Sequence, residues 1–234
     1  MDNWLGYALV VLAAAVFGAS SIVIKYIYST GLSPMQVLMV QNLVSMLLAW
    51  GWVLTGKKNA AVPVRLRLSM VAQGAVGGFF TSALFYTALA SLGAALSTLL
   101  LFSYPAFVVA YEVLFDKYRI SKYEKIALAT VFTGLLLAMN IFAVKIDSIS
   151  PWPLVMGLAS AVTYAFMNVN GEKLLSCLHT SVVTAWSLTF STLAMLIFFQ
   201  PLWLADLSLS GLQAILLVLG AILYILPLIL LYDG

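Results

Sequence analysis

The chain has 234 residues, 64% of them hydrophobic and 8% charged, with a formal net charge of +3, and its mean hydropathy is +1.09. Soluble domains hold about 45–50% apolar and about 25% charged residues, so this composition excludes a soluble fold and predicts an integral membrane protein. A single cysteine, Cys177, excludes an internal disulfide framework, and a single histidine, His179, leaves no cluster with metal-ligand spacing, so neither a metal nor a cofactor is expected.

Eight apolar stretches approach the roughly 20 residues that a helix needs to cross about 30 Å of hydrocarbon. They are predicted at about 4–27, 34–55, 67–90, 94–115, 122–143, 152–173, 181–201 and 211–232. The first opens on Met-Asp-Asn without a basic residue and runs too long for a signal-peptide core, so it reads as a span. Ser33-Pro34-Met35-Gln36 carries an N-cap serine, a first-turn proline and a capping-box glutamine, which starts the second span. Gly74 and Gly78 in the third have the spacing of close helix packing. Gly93 predicts a very short turn that makes the third and fourth spans an antiparallel hairpin.

Orientation is set by the loops. Lys57, Lys58, Arg65 and Arg67 come after the second span, and Lys117, Arg119, Lys122 and Lys125 after the fourth, so both basic clusters lie on one side. The opposite side offers little beyond Lys25, Lys145 and Asp206. By the positive-inside rule the basic face is cytoplasmic, and so is the N-terminus.

The chain also repeats itself. Under a shift of 148 residues Lys25 falls on Lys173 and Ser33 on Ser181, which is expected to open the seventh span as Ser33 opens the second. Under a shift of 146, Gly74 falls on Gly220 and Tyr86 on Tyr232. Each copy would hold five helices, an odd number, so the second copy starts on the opposite side of the membrane. Inverted repeats of this kind place substrate near the bilayer midplane of secondary transporters.

Three stretches, "LVVLAAAVFGASSIVIKYI", "FYTALASLGAALSTLLLFSYPAFVVAYEVLF" and "RISKYEKIALATVFTGLLLAM", resemble the drug/metabolite transporter superfamily, in particular its EamA-type ten-helix exporters, over essentially the whole chain. The resemblance implies an all-α polytopic protein of two inverted five-helix repeats. Residues 1–146 would form the first, and residues 147–234 an incomplete second with three helices, giving eight transmembrane helices of an expected ten. The sequence is accordingly expected to be a piece of a longer protein, with about 55–60 further residues and two more spans beyond Gly234.

The residues expected to bind substrate are polar groups at mid-span. Ser103, Tyr104 and Pro105 fall at the middle of the fourth span, where the proline frees a carbonyl near Leu101 and permits a kink. Ser20 corresponds to Asn168 under the repeat, and Tyr164 lies one turn before Asn168; Thr81 stands in the third span and Tyr224 in the eighth. Thr81, Tyr104, Tyr164, Asn168 and Tyr224 are expected to line one water-accessible cavity. Pro105, Pro227 and Glu112 are candidates for gating or coupling, with Glu112 about one turn inside a basic loop, where interfacial solvation accounts for it. No acid stands in the first span, unlike the small multidrug antiporter pattern.

Uncharged polar and aromatic groups suit a small molecule with an amphipathic body, such as an amino acid or related metabolite, better than an inorganic ion. These features point to a metabolite exporter working by alternating access in the cell membrane. A non-transporting scaffold or receptor is the alternative. A membrane enzyme fits less well, because the chain has no HExxH run, no phosphate-cradling glycine loop and no intramembrane Ser/His or paired-Asp set. The expected partners are the lipid bilayer and a small solute, with no nucleic acid; a homodimer is an assembly open to it. A reporter fused at Met1 is expected to stay inaccessible from outside intact cells, and labelling from outside would reverse the assigned topology.

Overall fold

The computed structural model describes residues 12, 15, 16, 23, 24, 26–115, 120–138, 151–199 and 210–232. The expected Ser20, together with Lys25, Lys117, Arg119, Lys145 and Asp206, lies outside them. Among the described residues all regular structure is helical. Helices α1 (Pro34–Thr55), α2 (Val64–Ala72), α3 (Thr81–Leu101), α4 (Tyr104–Phe115), α5 (Lys122–Ala138), α6 (Pro151–Leu175), α7 (Thr180–Phe199) and α8 (Gly211–Tyr232) succeed one another in order. A π-helical segment, Gln73–Phe80, joins α2 to α3. Among the described residues, five stretches are long and apolar enough to span a membrane: Pro34–Thr55, Val64–Gly93, Leu96–Phe115, Pro151–Leu175 and Thr180–Phe199.

The helix ends are set by local chemistry. Gln36 N–H donates to Ser33 Oγ at 3.3 Å while Ser33 N–H donates to Gln36 Oε1 at 2.8 Å, the expected capping box. The same device recurs at Ser121/Glu124 and at Ser210/Gln213. Gln213 Nε2 also reaches Thr30 Oγ1 at 3.3 Å, which ties the start of α8 to the turn before α1. Helix α7 departs from expectation. It begins at Thr180, and His179 Nδ1 accepts the Ser181 N–H at 3.3 Å, so the cap is His179 and Ser181 lies inside the helix. Gly93 turns the chain at φ +77°, ψ 168°, a conformation glycine adopts without steric cost, and makes the expected break between third and fourth spans.

The contacts divide the chain into two compact units. One comprises Met1–Ala75 and Lys173–Gly234, the other Val76–Glu172. In the first, α1 and α7 cross antiparallel, since Asn42 meets Ser191 while Trp50, two turns further on, meets Thr189 and Trp186. Asn42 Nδ2 donates to Ser191 Oγ at 3.0 Å and to Met195 Sδ at 3.2 Å, and Ser45 Oγ donates to the Ala221 carbonyl at 3.4 Å. Ala49, Val53, Val182, Ala185, Leu188 and Ile225 close the core beside them. In a bilayer such contacts rest on close packing and interhelical hydrogen bonds, because lipid tails are as apolar as the side chains they would replace.

Two glycines bring neighbouring elements against this pair, the π-helical segment against α7 and α8 against α1. A Cβ on Gly74 would overlap the Ser187 carbonyl and come within 2.5 Å of Phe190 Cβ on α7. A Cβ on Gly220 would overlap the Gln41 side-chain amide of α1. The expected Gly74/Gly78 pairing is thus realised differently. Gly74 is set against α7, and Gly77 against Met167 of α6, whose Cβ and Cγ lie 2.8 Å from where a Cβ on Gly77 would stand. Gly74→Ala is expected to lower the unfolding free energy by about 1–3 kcal/mol. Gly134→Ala, at an α5 position with nothing within 4 Å, should be neutral or stabilising by up to about 1 kcal/mol; denaturant unfolding of both variants checks the contrast.

Candidate functional site

Most of the expected substrate-binding positions fall in the unit Val76–Glu172. The fourth span is broken at the position the proline predicts: α3 stops at Leu101, Phe102 and Ser103 form a turn, and α4 starts at Tyr104. Pro105 has no N–H to give to the carbonyl four residues back, and its ring crowds that carbonyl. Ser103 covers part of the interruption. Its N–H donates to Leu100 O at 3.2 Å and its hydroxyl to the same carbonyl at 2.6 Å, while Ala106 N–H donates to Ser103 O at 3.1 Å. The Ser103 hydroxyl proton is therefore committed to the backbone, and only the oxygen lone pairs are left for a ligand.

Helix α6 runs beside this break and orders the site. Gly157 meets Leu100, whose Cδ1 lies 2.5 Å from where a glycine Cβ would stand, and seven residues later Tyr164 meets Tyr104. The two Tyr rings are edge to face, with centroids 4.6 Å apart and planes at 79°. On the neighbouring edge of α6, Thr163 and Thr81 share a hydrogen bond of 2.8 Å, and Met167 packs on Gly77. Helix α6 thus runs parallel to the chain through the break and antiparallel to the helix carrying Thr81. Thr163 also donates within its own helix, to Ser160 O at 3.0 Å, so the hydroxyl pair is anchored at its Thr163 end.

Four of the expected residues, Thr81, Ser103, Tyr104 and Tyr164, accordingly belong to contacts made by α6 or to the break beside it. Asn168 is exposed, and its Nδ2 donates to Tyr164 O at 2.8 Å, back along its own helix. Glu112 is half-buried, two turns beyond Pro105 in α4. Tyr224 and Pro227 lie within α8 of the other unit, and their side chains are outside the described residues.

Several polar groups escape the sequence reading. Thr163 is one. Ser97 is another: it is fully buried, one turn before the break, and its hydroxyl has no hydrogen-bond partner among the described residues. An unpaired buried hydroxyl costs about 1–3 kcal/mol. In the other unit Gln41, Asn42, Ser45, Ser191 and Thr192 are all buried at mid-helix. The adjacent amides of Gln41-Asn42 inside an apolar run are the signal that could have found them.

Chemically, the arrangement offers aromatic faces and hydroxyls. Among the described residues no group of three His, Cys, Asp or Glu side chains could hold a metal ion. Such surroundings can orient a solute by stacking and hydrogen bonding. A double-mutant cycle on Thr81→Val and Thr163→Val should return a coupling of about 0.6 kcal/mol. The corresponding cycle on Tyr104→Leu and Tyr164→Leu should return about 0.5–1.5 kcal/mol; both are read from unfolding in detergent, and zero coupling would dissolve the contacts.

Comparison with known proteins adds three findings. The model of the EamA-like transporter family matches residues 4–140. No curated protein matches the chain in sequence. A solved crystal structure, described only as that of a protein, resembles it with a TM-score of 0.70 over 98% of this chain and 78% of the other, at 13% identity, a likeness of fold alone.

Proposed function

The chain belongs to the EamA-like transporter family, and on that premise we propose that it exports a small metabolite or amino acid across the cell membrane by alternating access. The substrate meets the protein at the Tyr104–Tyr164 ring pair, with the Thr81–Thr163 hydroxyls beside it. The observation that carries this reading is the coincidence of that ring pair with the break at Phe102–Ser103. A helix broken at mid-membrane exposes backbone groups that lipid cannot satisfy, and it is tolerated where it is buried in protein or lines a water-filled path. Tyr104 and Tyr164 stand beside those groups, suited to the apolar body of a solute, while the hydroxyls suit its polar end.

An inverted repeat is part of the proposal, and contacts inside one unit support it. Gly74 packs on Ser187 and Gly220 packs on Gln41, and these two pairs are counterparts under the 146-residue shift. Asn42 meets Ser191, whose counterpart under the 148-residue shift is Leu43, so α1 and α7 cross at nearly equivalent positions. Contacts of that kind are what a twofold axis between two inverted copies would generate. The N-terminus is assigned to the cytoplasm on the loop charges.

Cysteines placed at Thr81, Tyr104 and Tyr164, in a protein lacking the exposed Cys177 and expressed from its full reading frame, should react with a hydrophilic thiol reagent and be protected by substrate. Cysteines at Leu47 and Ile197, 66% and 74% exposed on the outer faces of α1 and α7, should stay inert in lipid. Tyr104→Phe should fold and express normally but export more slowly. Three unreactive cysteines in a protein that still transports would move the site elsewhere.

A further inference from the structure

The segment from Gly56 to Arg67 is a fixed turn. At the end of α1, Gly56 N–H donates to Trp52 O at 3.0 Å and Lys58 N–H reaches back to Val53 O at 3.1 Å. This pattern closes a helix when the residue between them is left-handed, a place usually taken by glycine. Here that residue is Lys57, with φ +50°, the one non-glycine residue of positive φ among those described, although Gly56 stands immediately before it. The rest of the turn is pinned as well. Ala61 N–H donates to Asn59 Oδ1 at 3.0 Å, Trp186 Nε1 to Ala60 O at 2.9 Å, and Arg67 Nε to Val62 O at 3.4 Å.

The turn carries Lys57 and Lys58 and the first turn of α2 that it leads into carries Arg65 and Arg67, all exposed, with no acidic residue from Gly56 to Arg67. Trp186 is bonded to it and stacks on Phe190 at 5.6 Å, and Trp50 meets Trp186 edge-on. Indoles at the ends of apolar helices mark the headgroup level of a bilayer, a level that would set the four cations near lipid phosphates.

We propose that this turn binds the phosphodiester headgroup of an anionic lipid, with Lys57 as its fixed contact. Topology alone does not call for this geometry. Loop lysines retain a segment on the cytoplasmic side in any conformation, and a glycine at position 57 would close the helix without strain. A lysine held left-handed by the Lys57 N–H bond to Leu54 O and the Lys58 N–H bond to Val53 O instead leaves the turn from a defined point, and an anion within reach of its flexible stem would offset the strain. The complementary charge at that depth is the lipid phosphate, whose attraction to basic residues near the surface falls off within a Debye length.

The test uses the full protein in nanodiscs of phosphatidylcholine with and without phosphatidylglycerol, reading the thermal midpoint. The wild type should gain stability from the anionic lipid at low salt and lose that gain at high salt. Lys57→Gly should melt higher than wild type in phosphatidylcholine, yet lose roughly half or more of the anionic-lipid gain. Lys122→Gln, on the other basic loop, should keep the gain. A Lys57→Gly variant that keeps the full gain overturns the proposal, as does an equal loss in Lys122→Gln, which would signify attraction to bulk charge. Inorganic phosphate added to phosphatidylcholine discs should leave the midpoint unchanged; a gain equal to that from lipid would assign the turn to a free anion and overturn it too.

Discussion

Lipid offers no hydrogen-bond partner, so polar groups inside a membrane bundle are answered within the protein, by their own helix or by another, and the α1–α7 crossing is where two helices answer each other. Asn42 reaches both Ser191 and Met195 on the facing helix, and all three are buried. The flanking elements come equally close, Gly74 letting the π-helical segment meet α7 and Gly220 letting α8 meet α1. Each such hydrogen bond contributes only about 0.6 kcal/mol on average in a bilayer. Their larger effect is on register: sliding α1 by one residue against α7 would rotate Asn42 away from Ser191 and leave an amide among apolar side chains, at a cost of about 1–3 kcal/mol. Trp50 adds a second register point, bonding Thr189 and touching Trp186.

The unit Val76–Glu172 solves the same problem around an interrupted helix. A proline at mid-span removes the donor that would meet the Leu101 carbonyl, and the neighbouring serine folds its hydroxyl onto the adjacent carbonyl, Leu100 O. Helix α6 keeps the break from meeting lipid on one side: its small residue Gly157 admits Leu100 closely, and its Tyr164 lies against Tyr104. The polar edge of α6 is thus divided between structural and exposed roles. Thr163 ties to Thr81, while Asn168 is turned back onto its own helix and is open at the surface.

Helices whose ends carry chemical punctuation are legible in the sequence. The expected second span at 34–55 and eighth at 211–232 coincide with α1 and α8; a cap or a change from polar loop to apolar run marks both. The third is expected at about 67–90, whereas the continuous stretch is Val64–Gly93, because Arg65 and Arg67 look like loop residues although both stand exposed in the first turn of α2. The π-helical segment has no such signature: glycines at 74, 77 and 78 permit it, but the choice between helix types depends on what α6 and α7 press against them. Pro105, by contrast, announces its break from local sterics alone. Asn42 shows itself as an amide inside an apolar run but does not show its partner, which stands 149 residues away, because no local periodicity reports a contact of that separation.

How tightly the helices are held differs along the chain in a way that bears on transport. Helices α1 and α7 each bury residues along most of their length, whereas none of the residues of α4 is buried. Local opening draws on segments with few buried contacts. An interrupted backbone lowers the cost of reorienting the segment beyond it, because fewer backbone bonds have to be broken. Helix α4 begins at such an interruption and carries Tyr104 on its first turn, so a small rotation about Phe102–Ser103 would separate the Tyr104 ring from Tyr164 without disturbing the Gly157–Leu100 contact on the other side of the break. The α1–α7 crossing resists any such adjustment, because its buried amide and hydroxyls would lose their partners; the proline break would instead allow it in the element that bears the aromatic group proposed to meet substrate.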